Sequence, residues 1–208
     1  MRRPAATAGL AITLALGGCG GGAVPTAPVP PALLAVTVTE PNGAPSVATA
    51  FAAGDGRAVT VAHAIAGRSV LVARPGGRAR RARVVATDAR LDLAVLEVSG
   101  LKAPALRVAH PRAGDGTSVL VMRHGHSQSL RATVRRVITA RVRDAPGAAV
   151  RVRPALELDA TVVQGDSGAP VLDGAGRVVG MVFAQSSDRD DRTFALDGRA
   201  VRARDFGP

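Results

Sequence analysis

The chain has 208 residues and a formal charge of +11, which is enough chain for one medium domain or two small lobes that share a core. Its core must be built from Ala, Val and Leu, because it contains four Phe, no Tyr and no Trp. Strong positive charge is typical of nucleic-acid binding. In this chain, however, the basic residues are nearly all arginines that are scattered along the sequence, and aromatic side chains for base stacking are scarce. We therefore expect a solvated arginine-rich surface and no nucleic-acid partner.

Residues 1–18 have the pattern of an export signal. Arg2 and Arg3 precede an apolar run over residues 5–16, which is too short to span a bilayer comfortably. The run ends in LGGC, which resembles the lipobox of bacterial lipoprotein signal peptides and implies cleavage before Cys19 and a lipid on its sulfur. The alternative is an ordinary secretory signal. Lipidation is favoured because Cys19, the only cysteine, cannot form an internal disulfide.

Residues 19–32 are rich in Gly and Pro and predict a tether between the lipid and a folded domain. From Leu33 onward, short apolar runs recur between Gly, Pro and Asp breaks. The runs are Leu34–Val38, Ala58–Val61, Ser69–Ala73, Ala82–Ala86, Leu93–Val98, Ser118–Met122, Thr133–Val142, Ala148–Val152, Pro170–Leu172 and Val178–Phe183. Many short strands without a long amphipathic helix predict an all-β barrel or sandwich. Residues 101–117 are the expected crossing between its halves.

Two polar residues stand at the ends of predicted strands in the first half. His63 follows an apolar strand and enters a turn of small residues, where it is either a catalytic base or a structural imidazole. Asp92 opens the apolar strand at residues 93–98. Burial of its carboxylate is costly unless a donor such as an imidazole N–H satisfies it, and the alternative is an exposed aspartate.

Later in the chain, His110, His124 and His126 lie in loop-like segments. The HGH sequence predicts a loop and not a metal site, because no third ligand has a suitable spacing. The hexapeptide GDSGAP at residues 165–170 predicts a tight turn that displays the Ser167 hydroxyl. Such a turn can supply a nucleophile and an oxyanion hole from one loop, although a plain surface turn is the alternative.

Three motifs in this order resemble the catalytic motifs of the trypsin-like (chymotrypsin-fold) serine proteases: TVAHAIAG, LDLAVLEV and GDSGAPV. DLAVL and the absence of disulfides look most like the bacterial HtrA-type branch. The tail GRVVGMVFAQSSDRDDRTFAL resembles the protease domain of actinobacterial periplasmic serine proteases of the MarP kind. The resemblance implies an all-β domain at residues 33–208, made of two packed six-stranded antiparallel β-barrels at about 33–105 and 112–204.

The family resemblance also implies a mechanism and a location. Ser167 would attack a peptide carbonyl, His63 would accept and return its proton, and Asp92 would orient the imidazole. Backbone N–H groups of Gly165 and Ser167 would form the oxyanion hole. The chain is thus expected to be a lipid-anchored, extracytoplasmic serine endopeptidase that needs no cofactor. The competing hypothesis is a catalytically weak module of the same fold that binds extended peptides.

The substrate pocket is implied by the same resemblance. Thr161 stands where the family places the base of the S1 pocket, and it has no carboxylate to pair with a basic side chain, so we expect a small or medium apolar P1 residue. Phe183, Ala184 and Gln185 would form the edge that pairs with an extended substrate backbone. The expected partners are a protein or peptide substrate and, through the lipid on Cys19, the membrane.

Two departures from the family pattern shape further expectations. No PDZ-like segment follows the protease motifs before Pro208, so we expect no PDZ-mediated assembly. No segment like Ile-Val-Gly-Gly marks a maturation site, so a new N-terminal ammonium is not expected to pair with Asp166. Asp166 must then find another partner or stay near solvent.

Overall fold

The computed structural model describes residues 32–40, 43–66, 69–143 and 149–202. The predicted signal peptide, Cys19 and nearly all of the predicted tether lie outside the described residues. The described part consists of twelve strands, one 3₁₀ turn (His63–Ile65) and one short helix, α1 (Gly198–Arg202). Within it, no helix has the length and apolar character needed to cross a membrane.

The first barrel contains β1 (Leu33–Thr39), β2 (Pro45–Gly54), β3 (Arg57–Val61), β4 (Ser69–Ala73), β5 (Arg80–Asp88) and β6 (Leu93–Val98). All neighbours are antiparallel, and the closed order is β1-β2-β3-β6-β5-β4. Because side chains alternate along a strand, Leu34, Val36 and Val38 fill the barrel interior while Leu33 faces the other way.

The second barrel contains β7 (Gly116–Arg123), β8 (His126–Val142), β9 (Arg151–Asp159), β10 (Pro170–Leu172), β11 (Val178–Gln185) and β12 (Arg192–Asp197). Its closed order is β10-β11-β12-β9-β8-β7. Val119, Val121, Leu156 and Leu158 are fully buried in its interior. Residues 99–115 connect the barrels without a regular strand, as the sequence predicts for that stretch.

A third apolar cluster lies between the barrels and fixes their relative position. Leu33, Phe51 and Leu93 enter it from the first barrel, and Met181 and Phe183 enter it from the second. Separating the barrels would expose this apolar surface to water, so the cluster holds the barrels together. His63 and Asp92 lie on the first barrel and Ser167 on the second, and the cleft between them is the place where the barrels meet, since Thr49 of β2 bonds to the Ser167 carbonyl.

The all-β fold with two six-stranded barrels is confirmed. Each of the ten predicted runs overlaps a strand, but the apolar pattern missed β2 and β12. The Ala-rich sequence of β2 has little intrinsic strand preference, and its pairing with β1 and β3 makes it a strand. The prediction of a solvated arginine-rich surface agrees with β5, which is exposed along most of its length. The same prediction is wrong for Arg153, which is fully buried.

Candidate active site

His63 and Asp92 form a hydrogen-bonded pair at the edge of the first barrel. The ring Nδ1 of His63 lies 2.7 Å from Asp92 Oδ2, and the His63 backbone N–H donates to Asp92 Oδ1 over 2.9 Å. A carboxylate only accepts hydrogen bonds when ionised, so Nδ1 carries the proton and Nε2 is left as an acceptor. The Asp92 side chain is 6% exposed and the His63 side chain is 44% exposed, so the ring faces the cleft.

The backbone around Asp92 is shaped to present its carboxylate. Asp92 has a φ of +59°, a left-handed conformation that aspartate tolerates better than most residues. The turn before it is held by Asp88, whose Oδ1 accepts the N–H groups of Arg90 and Leu91. The Asp92 carbonyl also accepts the Ala62 N–H over 3.0 Å, so main chain and side chain both attach to the segment that carries His63.

Thr49, on β2, clamps the Ser167 loop to the first barrel. Its backbone N–H donates to the carbonyl of Ser167 over 2.8 Å, and its hydroxyl donates to the carbonyl of Gly165 over 3.1 Å. The same hydroxyl accepts the Met122 N–H over 3.2 Å, and the Thr49 carbonyl accepts the Thr60 hydroxyl over 2.7 Å. Thr49 is fully buried, so these bonds are shielded from water.

The loop around Ser167 approaches β2 closely because Gly168 has no side chain. Gly168 has a φ of +86°, and an added Cβ would overlap the Thr49 carbonyl oxygen and the Thr60 hydroxyl. Gly165 has a φ of +99°, which also suits only glycine. In the described part of the chain, neither the Gly165 N–H nor the Ser167 N–H donates a hydrogen bond. Both donors are therefore available to an incoming oxyanion.

Asp166 is held by a buried ion pair with Arg123, at the end of β7. Arg123 donates from Nε to Oδ1 over 3.1 Å and from NH2 to Oδ2 over 2.5 Å, while the Val163 N–H donates to Oδ2 over 2.9 Å. Asp166 is fully buried. The hydrogen bond to Asp166 raises the pKa of Arg123 above its ordinary value. Arg123 is thus the partner that the sequence left unnamed, and it anchors the residue next to Ser167.

Ser167 itself is partly exposed at the cleft. Across the described residues, no hydrogen bond joins the Ser167 hydroxyl to the His63 ring. Such a contact is often long in a protein without substrate and shortens when the substrate binds. The structure therefore presents a formed imidazole–carboxylate pair and a braced serine loop on opposite sides of one cleft.

Comparison with known proteins identifies the family that shares this arrangement. Residues 48–181 match the trypsin-like peptidase domain. The chain is 32% identical over 157 residues to the serine protease Rv3671c of Mycobacterium tuberculosis, and the aligned region covers 74% of this chain and 40% of that protein. It is also 32% identical over 161 residues to a probable periplasmic serine endoprotease, DegP-like, of Bartonella henselae, where the aligned region covers 73% of this chain and 31% of that protein.

The chain belongs to the trypsin-like peptidase family. The crystal structure of the Rv3671c protease in its active form superposes with a TM-score of 0.78 and 30% identity, covering 83% of this chain and 78% of that chain. The inactive form of the same protease gives a TM-score of 0.72 at 29% identity. The chain spans less than half the length of these curated relatives. The resemblance to HtrA/MarP-like proteases is confirmed.

The predicted substrate-pocket residues lie on the second barrel. Thr161 is exposed just after β9, beside Ala160, whose carbonyl accepts the buried Thr193 hydroxyl over 2.6 Å. Phe183 is only 6% exposed and packs between the barrels.

The edge of β11 has an open side at the residues predicted to bind substrate backbone. Ala184 and Gln185 pair with β12, whereas the pairing of β11 with β10 ends at Met181. The strand is therefore paired on one side at these residues, which is the geometry that strand addition by an extended peptide requires. A register shift between residues 182 and 184 marks Phe183 as a bulge, a common device for redirecting a side chain.

Three residues of the site were not found by sequence reasoning: Thr49, Arg123 and Arg153. Thr49 and Arg123 carry no local motif, and their roles depend on contacts with residues far away in the chain. Arg153 lies in an alternating Arg-Val segment, a pattern that normally indicates an exposed arginine face. Among the described residues, no group of three or more His, Cys, Asp or Glu side chains is placed so that it could hold a metal ion.

Proposed function

We propose that this chain is an extracytoplasmic serine endopeptidase, anchored by a lipid on Cys19, that cleaves peptide bonds through an acyl-enzyme. The observation that carries the proposal is the 2.7 Å contact between His63 Nδ1 and Asp92 Oδ2. Because Nδ1 donates to Asp92, the other ring nitrogen, Nε2, is left as an acceptor on the exposed side of the imidazole, where it can serve Ser167. The names of the relatives, serine protease and periplasmic serine endoprotease, support the same class and compartment.

In the proposed reaction, the Ser167 Oγ attacks the carbonyl carbon of the scissile bond as His63 Nε2 takes the hydroxyl proton. The N–H groups of Gly165 and Ser167 donate hydrogen bonds to the developing oxyanion. Collapse breaks the C–N bond, and the imidazolium returns its proton to the leaving amine. Water then attacks the acyl-enzyme with His63 again as base, which releases the new carboxylate and restores Ser167.

Substrate selection in this proposal follows from the second barrel. An extended peptide adds to the open edge of β11 at Ala184 and Gln185, and its P1 side chain points toward Thr161. Thr161 offers a hydroxyl and a methyl group but no negative charge, so small or medium apolar P1 residues are favoured over Arg or Lys. Cleavage profiling on a peptide library tests this, and a dominant basic P1 preference contradicts it.

A fluorophosphonate probe tests the activity, because it labels an activated serine without knowledge of the substrate. The mature chain is expected to be labelled, and Ser167→Ala and His63→Ala are expected to abolish labelling. Ser129→Ala, at a β8 serine away from the Ser167 loop, is the matched control and keeps full labelling. If wild-type protein with and without added peptides is unlabelled, the endopeptidase fails. Peptide binding that survives in Ser167→Ala would then support the weakly catalytic binding module.

The lipid anchor is tested separately from the chemistry. The full chain expressed in a bacterial host is expected to partition into the detergent phase of a cloud-point extraction, since a lipid chain confers membrane affinity. Cys19→Ser is expected to move it to the aqueous phase without changing labelling of Ser167. Equal partitioning of both proteins contradicts the anchor and leaves the peptidase proposal intact.

A further inference from the structure

Arg153 is a fully buried arginine that reaches the carboxylate of Asp92 from the opposite barrel. It lies on β9, and its NH1 is 3.4 Å from Asp92 Oδ2. The carbon of its guanidinium lies 5.1 Å from the centre of the Phe183 ring, which packs in the cluster between the barrels. The side chain thus lies beside both a carboxylate and an aromatic face, in a part of the protein that excludes water.

A buried guanidinium has a large desolvation cost, and proteins retain it where a negative charge offsets that cost. The carboxylate of Asp92 contacts this guanidinium, and the face of the Phe183 ring adds a further favourable interaction. The Arg153 side chain therefore links β9 of the second barrel to the turn before β6, which presents Asp92 to His63.

We propose that Arg153 is a positioning residue for the peptidase reaction, acting on His63 through Asp92. This inference rests on the proposed function. Arg153 NH1 contacts Asp92 Oδ2, the same carboxylate oxygen that His63 Nδ1 contacts, and so helps to fix its orientation. Oδ1 stays with the His63 backbone N–H, so both carboxylate oxygens are oriented and the imidazole is held with Nε2 toward the cleft.

The charge of Arg153 has a second consequence for His63. In the described part of the chain, the charged groups in contact with the ring or with Asp92 are Asp92, from the first barrel, and Arg153, from the second. Arg153 offsets part of the negative field of Asp92 at the imidazole, so removing its charge is expected to move the acidic limb of the activity profile to higher pH.

The test compares Arg153→Met, which removes the charge but keeps much of the side-chain volume, with Arg153→Lys, which keeps a positive charge. The second-order rate of fluorophosphonate labelling is measured against pH on the mature chain. Loss of the positive charge that lies 3.4 Å from Asp92 Oδ2 predicts a labelling rate that is roughly tenfold lower in Arg153→Met at neutral pH. The acidic limb of the rate–pH curve of Arg153→Met is expected to move to higher pH, whereas that of Arg153→Lys stays near the wild-type position.

A matched control and a second neutral variant complete the experiment. Arg141→Met removes an exposed arginine from neighbouring β8. Its labelling rate and the acidic limb of its rate–pH curve are both expected to match the wild type. If Arg153→Met does not fold by circular dichroism, Arg153→Gln is used, and its acidic limb is expected to move in the same direction. An acidic limb that stays in place in the folded neutral variants overturns the proposal, because a purely structural role lowers the amount of active protein without moving its pH profile.

Nuclear magnetic resonance of the His63 ring separates this inference from the proposed function. In Ser167→Ala, the ring is expected to take up its proton at higher pH when Arg153 is also replaced by Met. If the wild type is never labelled but this shift appears, the peptidase fails and the coupling of Arg153 to His63 stands. If the wild type is labelled and no shift appears, the peptidase stands and the role of Arg153 is refuted.

Discussion

Replacing Thr49 by Val removes one hydroxyl from the point where the first barrel grips the Ser167 loop. Val has nearly the same shape as Thr, so packing and the backbone hydrogen bond to the Ser167 carbonyl are retained. The change leaves two buried groups without their observed partner, namely the Gly165 carbonyl and the Met122 N–H. It therefore separates the contribution of the hydroxyl from that of the strand that carries it.

The expected loss of stability follows from those two groups. A buried polar group that loses its partner costs about 1–3 kcal/mol, so the two groups together are expected to lower the free energy of unfolding of Thr49→Val by about 2–6 kcal/mol. Activity is affected as well, because a Gly165 backbone that has lost the hydrogen bond to its carbonyl can rotate and displace its own N–H, which is one of the two proposed oxyanion donors. Loss of one oxyanion donor in a serine protease costs roughly a hundredfold in rate, and a misaligned donor is expected to cost at least about tenfold.

Urea unfolding and the fluorophosphonate labelling rate measure these two effects. Thr49→Ser keeps the hydroxyl and is expected to retain most of both. Thr117→Val is the matched control, since its buried hydroxyl donates to the Ala132 carbonyl over 3.2 Å in the second barrel. It should lower stability by about 1 kcal/mol and leave the labelling rate of folded protein unchanged. The reasoning is refuted if Thr49→Val matches wild type in both measurements.

Three further predictions concern charged groups and glycines of the second barrel. Arg123→Met leaves the buried Asp166 carboxylate without its cationic partner, with the Val163 N–H still donating to its side chain, and should cost about 3 kcal/mol in urea unfolding; a loss below about 1 kcal/mol contradicts the ion pair. Gly168→Ala forces a Cβ into atoms of β2 and β3 and should abolish labelling of Ser167. Gly176→Ala, in open space at a φ of +74°, is the control and should keep that labelling. Equal labelling of the two variants argues against the close approach of the Ser167 loop to β2. Burial raises the pKa of Asp173, but hydrogen bonds led by Arg177 outweigh it and leave that pKa below its ordinary value. Its stabilisation is therefore present above about pH 4 and lost as pH falls further, so Asp173→Asn should cost about 1 kcal/mol at pH 7 and nothing near pH 2; a pH-independent cost contradicts this.

The strands and the Ser167 loop were predictable because their signals are local. Alternating apolar residues mark a half-buried strand wherever it lies in the fold, and glycines at residues 165 and 168 mark backbone that other residues avoid. His63 and Asp92 were predictable as candidates for the same reason, since each polar residue interrupts an apolar strand end. Their hydrogen bond was implied by motif order and is observed at 2.7 Å.

The sequence by itself determined the twofold division into short strands and the motifs that carry His63, Asp92 and Ser167, because strand periodicity and turn chemistry act over a few residues. Only the tertiary structure decided what holds those motifs in place. Thr49 meets Gly165 across 116 positions of the chain, and Arg123 meets Asp166 across 43. The first contact exists only when the two barrels have packed together, and the second exists only when the second barrel has closed. Burial also reverses the meaning of a residue type, since an arginine that the pattern assigned to the surface lies beside Asp92 in the dry interface between the barrels.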